Sequence, residues 1–551
     1  MKNKELFGCG FLLLIVYLIG FQINIMDIDA AQYASISREM LDSGNFLQVF
    51  DQGKDYLDKP PFLFWISALS MKFFGITNFA YRLPSFLFAL LAVFSTYRFS
   101  KLYYEQKAAL LAAIILASSQ GFFLMNHDVR TDTILMGTVA FSIWQLACWF
   151  QQKRIQYLIW GCIGIAIGMM TKGPIAIIVP VLAFGSQLML TKDFKSIFKW
   201  QYLIGILIIG ILLLPMSIGL YQQFDLHPEK IVNDKSHVSG IRFFYWTQSF
   251  GRITGESVWN NNANIFFLIQ NMMWSFLPWI IIFLLAFIDK TTSILRNRLK
   301  LDNKSEIISY AGFLLTYLAL GMSKYQLPHY IFVAFPFAAI ITANYLNEKI
   351  NDLKSNATLK RLSSFHFIIF NLLWLVLIAL LGFTFKSLPP VMAIAAGILY
   401  VGFLFVYVKK HQSKWNVVYL GLYTAIGLNF FLNLSFYPAL LEFQAGSNAG
   451  KWIATHKIPV NKISAYQYET WRSLNFYANG IVFHKDSVNK FESGEFVLTN
   501  KNKITDFDSL HKPYQILYTG NDFKITRLSL NFLNPKTREK QLSKFVLLKI
   551  K

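Results

Sequence analysis

Long apolar runs separated by short charged links recur along this chain from Phe7 to about Pro438, after which the pattern changes. A helix needs about 20 mainly apolar residues to cross a bilayer, because every backbone N–H and C=O must find its partner within the segment. By that criterion the chain holds thirteen candidate spans, at about 7–23, 82–100, 108–126, 133–150, 156–170, 174–191, 201–220, 265–288, 306–322, 329–346, 364–383, 388–408 and 416–436. The stretch Phe62–Phe74 is apolar but too short to cross, which predicts an interfacial or re-entrant piece. Two links are long, about 24–81 and 221–264, and loops of that length in a compact domain are usually functional. From about residue 439 the pattern predicts a small α/β domain, with a helix around Lys451–His456. Its short β-type runs are Ile463–Tyr466, Glu495–Leu498, Gln515–Tyr518 and Phe545–Leu548.

Charge tests the span count. With the N-terminus inside, the inner links 98–107, 151–155, 192–200, 289–305, 347–363 and 409–415 carry Lys101, Lys107, Lys153, Arg154, Lys192, Lys195, Lys199, Arg296, Arg298, Lys300, Lys349, Lys360, Arg361, Lys409, Lys410 and Lys414. The short outer links around 172, 325 and 386 are poorer in cations, as expected when Lys and Arg mark the cytoplasmic side. An odd number of spans then leaves the tail outside. The first run lacks a small-x-small cleavage site before Met26-Asp27, which predicts an uncleaved span.

Composition supports a lipid solvent: 54% of the 551 residues are hydrophobic and only 15% charged, against about 25% charged in soluble domains. The net charge of +22 lies mostly in the inner links and the tail, with no zinc spacing or aromatic-interleaved basic groove, so nucleic-acid binding is not expected. Cys9, Cys148 and Cys162 all sit in apolar runs and read as small buried hydrophobes.

The chemistry-bearing residues fall on the outer links. Asp27 and Asp29 follow the first span. They read either as helix caps or as a functional pair, since acids beside lipid are costly. Asp58-Lys59-Pro60-Pro61 holds an acid and a base on extended backbone, either as a loop salt bridge or at a pocket mouth. Asn126-His127-Asp128-Val129-Arg130-Thr131-Asp132 crowds ionisable groups into one turn, and its lone His is weak evidence for metal. Arg242 and Arg252 flank aromatics in the second long loop, as an interfacial belt or a phosphate clamp. Thr171-Lys172-Gly173-Pro174 lacks the glycine spacing of a nucleotide loop, and Ser323-Lys324-Tyr325 to His329 forms another polar turn.

Several of these segments, in order and spacing, resemble one family. They are Asp29-Ala30-Ala31-Gln32-Tyr33 through Met40, Gly44-Asn45, Asp58-Lys59-Pro60-Pro61, Phe74-Gly75, Arg82-Leu83-Pro84-Ser85, Val129-Arg130-Thr131-Asp132, Thr171-Lys172-Gly173-Pro174 and Leu327-Pro328-His329-Tyr330. The chain is similar to the aminoarabinose transferase and protein-mannosyltransferase relatives, which are integral-membrane GT-C glycosyltransferases dependent on polyprenyl-phosphate sugars. The resemblance implies Asp29 and Asp132 as catalytic carboxylates and Lys59 and Arg252 on the carrier phosphate. Tyr33, Lys324 and His329, in the same outer motifs, complete the expected substrate-binding set. Asp58 stands where the aminoarabinose branch has a glutamate contacting a metal, so the resemblance admits a divalent ion. Two positions depart from the family: Ala30 follows Asp29 in place of a glutamate, and Thr247-Gln248 occupies the region of a Glu-His pair.

The expectation is an α-helical polytopic membrane protein of GT-C type, with a transmembrane module at 1–438 and a non-cytoplasmic α/β domain at 439–551. Its expected work is to move a sugar from a polyprenyl-phosphate donor to a lipid or other cell-envelope acceptor, as in aminoarabinose transfer to lipid A. The expected site is the cell (inner) membrane, among membrane lipids. The rivals are a protein O-mannosyltransferase-like enzyme and a lipid flippase. A flippase predicts inverted repeats and charges deep in its spans, and neither pattern is visible.

Overall fold

The computed structural model describes residues 1, 3–232, 234–256, 259–296, 306–385, 387–468 and 471–551. Arg298 and Lys300, and position 386 of a predicted outer link, lie outside the described residues. Each of the thirteen predicted spans falls on a helix or a helix pair. Nine helices among the described residues are long and apolar enough to cross a membrane unaided. The protein is a multi-span membrane protein.

The other four predicted spans show how helices are interrupted. Gln106–Ala117 and Gln120–His127 meet at a bend of 54°, beside Ser118 and Ser119, whose hydroxyls donate to carbonyls of the preceding turn. The run at 265–288 splits into Phe267–Ser275 and Ile280–Arg296 around Pro278, which cannot supply a backbone N–H. Ile175–Leu190 and Ile308–Gly321 are shorter, with 16 and 14 residues, and the first starts directly after Gly173-Pro174. Phe62–Phe74 is a 13-residue helix, well short of a span.

Close packing in the bundle depends on small residues, as expected where lipid supplies no hydrophobic drive between helices. A methyl group at Gly137 would lie 2.4 Å from the Phe88 carbonyl, so only glycine lets Thr131–Gln152 approach Asn78–Tyr103 so nearly. At Gly219 a methyl would meet the Leu47 carbonyl at 2.1 Å, which seats the first long loop on the helix Gln201–Leu220.

That loop is structured. It contains the helix Asp29–Ser43 and a two-residue hairpin, β1 (Phe50–Asp51) with β2 (Lys54–Asp55), before Phe62–Phe74. Arg82, fully buried, pins the loop's entry: it donates to the carbonyls of Phe21 (3.1 Å), Asn24 (3.2 Å) and His127 (3.1 Å). Those carbonyls lie at or beyond helix ends, where partial negative charge collects, so they compensate a guanidinium that burial alone would disfavour.

The C-terminal region carries β3 (Ile463–Tyr466), β4 (Phe483–Lys485), β5 (Phe496–Asn500), β6 (Tyr514–Asp522) and β7 (Ser543–Ile550) in the order β4-β3-β5-β7-β6. β3 runs parallel to β4 and β5, while β7 is antiparallel to β5 and β6. This domain sits on the first long loop. Asp27 accepts from Ser473 Oγ (2.8 Å) and N (3.3 Å), Arg38 Nη1 donates to the carbonyls of Asn475 and Phe476, and Arg472 pairs with Asp51.

Candidate functional site

The expected site residues come from five separated segments, and the structure gathers most of them. Asp29 is the first residue of its helix, and its Oδ2 lies 2.6 Å from Arg130 Nη1. Arg130 precedes Thr131–Gln152 in extended backbone, and its Nε donates to Asp128 Oδ2 at 2.7 Å. Flanked by these two carboxylates, Arg130 is held above its ordinary pKa although burial opposes this.

The chain of polar contacts continues inward. Arg130 Nη1 lies 3.4 Å from His329 Nδ1, and His329 Nε2 lies 3.6 Å from Asp132 Oδ2. Because a guanidinium only donates, His329 Nδ1 must accept, which leaves the ring proton on Nε2, facing Asp132. The other oxygen of Asp132 takes a hydrogen bond from Lys172 Nζ. Lys172 is the last residue of Ile155–Lys172, and its ammonium also lies over the Tyr330 ring, 4.1 Å from the centroid.

Beside this chain opens a cleft. Its polar lining includes Lys59, Lys172, Gln248, Arg252 and Tyr330, and Leu135, Ile175, Ile178 and Leu320 give it apolar walls. Lys59 pairs with Asp58 at 2.8 Å, and Lys172 with Asp132. Arg252 has no carboxylate partner among the described residues. Its Nη1 donates to Tyr330 OH at 2.6 Å, its guanidinium lies 5.2 Å from the Tyr325 ring centroid, and its Nε is buried without a partner. The cleft therefore carries one unbalanced buried cation, which costs several kcal/mol unless an anion meets it.

The structure places four further expected residues as follows. Asp132 is only 3% exposed, against 43% for Asp29; its Oδ1 takes the Lys172 hydrogen bond and its Oδ2 lies 3.6 Å from His329 Nε2, so it sits behind Lys172. Tyr33 is buried against Phe64 in the loop's own core, which holds its phenol well above the usual pKa. Lys324 is exposed and outside the cleft lining; its backbone N–H donates to the Arg252 carbonyl at 3.1 Å, fixing that segment instead. A divalent ion needs converging oxygen ligands. Asp58 instead faces two donors, the Lys59 ammonium and the Gln248 amide. Among the described residues no three His, Cys, Asp or Glu side chains group to hold a metal, so the side chains around Asp58 do not fit one.

Three residues outside the expected set join the site: Arg130, Lys172 and Tyr330. Each lies in a motif that the sequence reading quoted, and each adjoins an expected residue.

Comparison with known proteins bears on this arrangement. A family model described as dolichyl-phosphate-mannose-protein mannosyltransferase matches residues 58–218. An undecaprenyl phosphate-alpha-4-amino-4-deoxy-L-arabinose arabinosyl transferase of Wigglesworthia glossinidia brevipalpis is 30% identical over 366 residues, 64% of this chain and 60% of that protein. The crystal structure of ArnT from Cupriavidus metallidurans bound to undecaprenyl phosphate superposes with a TM-score of 0.72 at 15% identity, covering 99% of this chain and 98% of that one. The chain shares the GT-C fold of ArnT, and its sequence is similar to the aminoarabinose transferases and, over residues 58–218, to the protein-mannosyltransferase model. A protein of Aquifex aeolicus, itself described only as uncharacterized, is 25% identical over the full length of both chains. The arabinosyl-transferase match spans about 60% of that relative, whereas the ArnT likeness covers the whole GT-C fold, C-terminal domain included.

Proposed function

We infer that the protein is a membrane glycosyltransferase that takes a sugar from a polyprenyl-phosphate carrier and passes it to a lipid or other envelope acceptor. The observation that carries this reading is the cleft: apolar walls suited to a polyprenyl chain lead to an unbalanced Arg252, with Lys59 and Lys172 beside it. In this reading the bond between the anomeric carbon and the phosphate oxygen breaks, and the three cations receive the charge that collects on the departing phosphate. Asp29, the accessible end of the ion-pair chain, takes the proton of an acceptor hydroxyl as its oxygen attacks that carbon. Arg130 sets the direction of the carboxylate, and Asp132 holds Lys172 toward the cleft. The carrier supplies the activation, so the reaction needs no nucleotide-sugar domain. The names of the relatives support aminoarabinose-like transfer. The positive inner links support an N-terminus in the cytoplasm, with the C-terminal domain on the opposite side of the membrane.

Envelope-glycan mass spectrometry of a deletion strain, complemented with either the wild-type chain or Asp29→Asn, tests this reading. A sugar mass that disappears on deletion, returns with wild type and stays absent with Asp29→Asn is the expected result. An unchanged envelope in the deletion strain, together with no binding of undecaprenyl phosphate to the purified protein, would sink it.

A further inference from the structure

The segment Phe523–Lys544 plays no part in the site, yet its surface is unusual. It wraps onto the ends of the spans Asn356–Thr384 and Asn416–Leu441: Phe532 packs against Phe385, and Arg538 donates to the Thr384 carbonyl while lying 4.8 Å from the Phe385 ring centroid. Phe385, Phe436, Leu440 and Phe532 form one apolar cluster there, so the segment is fixed at the ends of these two spans. The neighbouring spans Asn356–Thr384 and Pro390–Lys410 are among the three least packed against protein, and so mainly face lipid.

Two leucines of this anchored segment point away from protein: Leu530 is 83% exposed and Leu528 42%. In the same segment Lys524, Arg527, Lys536, Lys540 and Lys544 are exposed, and Glu539 is its sole acid. Free apolar side chains in a cation-rich segment anchored at the ends of membrane spans have the chemistry of an interfacial lipid contact: leucines enter the acyl region while cations meet phosphate headgroups. We propose that Phe523–Lys544 is a bilayer-seated pad that inserts Leu528 and Leu530 into the adjoining leaflet and binds anionic phospholipid headgroups. The pad fixes the height of the domain that also grips the loop carrying Asp29. It therefore makes the site's geometry sensitive to lipid charge.

The test uses the full chain with Leu530→Cys labelled by bimane, in single-copy nanodiscs of phosphatidylcholine with or without phosphatidylglycerol. Labelled wild type serves as the blank for the native cysteines. Lipid carrying a doxyl group near the headgroup should quench the label by about half in anionic discs and clearly less in neutral ones. Replacing Lys524, Arg527, Lys536 and Lys540 by Gln should abolish that difference, and Leu528→Cys offers a second labelling site should the first variant fold poorly. A label that iodide reaches equally with both lipids, or lipid quenching indifferent to lipid charge, overturns the proposal. So does protection seen only in discs holding two copies, which would make the face a contact between chains.

Discussion

Arg130 Nη1 stands 2.6 Å from Asp29 Oδ2, so the accessible carboxylate of the site is aimed by an arginine from a different outer turn. The same guanidinium neutralises Asp128, which is 5% exposed. These two duties are separable. Arg130→Met strands a buried carboxylate and should destabilise the protein by about 3 kcal/mol, read as a lowered Tm in detergent. Adding Asp128→Asn removes the stranded charge and should restore most of the Tm. Transfer should stay low in the double variant, because Asp29 is still unaimed. Recovery of turnover along with stability would show that Arg130 is merely structural.

Asp29→Asn keeps the size of the side chain and removes its charge. With a hydroxyl acceptor, turnover should fall on the order of a hundredfold or more, while carrier binding changes little. Near-normal turnover of the purified variant would remove Asp29 from the chemistry.

Asp132 and Lys172 act as one unit if the carboxylate's work is to hold the ammonium. Lys172→Ala and Asp132→Asn should each weaken carrier binding, and the double variant should be little worse than the worse single one. Fully additive losses would give Asp132 a separate role.

How much of this was legible in the sequence follows from what each feature depends on. Apolar runs report helices directly, because crossing lipid demands them, so all thirteen candidate spans coincide with helical segments. The interruptions at Ser118-Ser119 and Pro278 depend on which carbonyl a hydroxyl reaches and how a chain bends, which periodicity does not record. The short strand Phe483–Lys485 was missed because three residues show no alternation. At the site, Asp29, Lys59 and Arg252 were visible as charges on outer links. The position of Lys324 was not legible, because a lysine in a polar turn reads alike whether its ammonium enters the cleft or solvent. Arg130 was visible only as one charge in a crowded turn, since its partner Asp29 lies 101 residues away.

Asp27 predicts a pH dependence where the C-terminal domain meets the first loop. Burial raises its pKa from 3.8 to about 6, with the Ser473 hydrogen bonds opposing. A folded pKa above the unfolded one means the native state holds the proton more tightly. The group's contribution is fully present below about pH 4 and is lost as pH rises through about 6, a swing of roughly 3 kcal/mol. Asp27→Asn mimics the protonated form, so its Tm should match wild type near pH 4 and exceed it at pH 8. Identical Tm profiles across this range would place the titration elsewhere.

Arg252 sets function against stability. Among the described residues it is a cation without a carboxylate partner, supported by Tyr330 OH and two aromatic rings, with its Nε unmet. Arg252→Met fills similar volume without charge, so the ligand-free protein should gain Tm. The same variant should bind undecaprenyl phosphate about tenfold to a hundredfold more weakly, since charge-assisted bonds to phosphate oxygens are lost. Binding of the uncharged polyprenol should be nearly unchanged, because the apolar walls remain. Tyr330→Phe removes only the hydroxyl that orients the guanidinium and should give a smaller loss of the same kind. Arg252→Lys keeps the charge but loses the planar fork, and should fall between Met and wild type. The measurements are thermal shift without ligand and carrier binding in matched detergent. A drop in Tm for Arg252→Met, with carrier binding intact, would mean that the cation is compensated within the fold and that the phosphate is bound elsewhere.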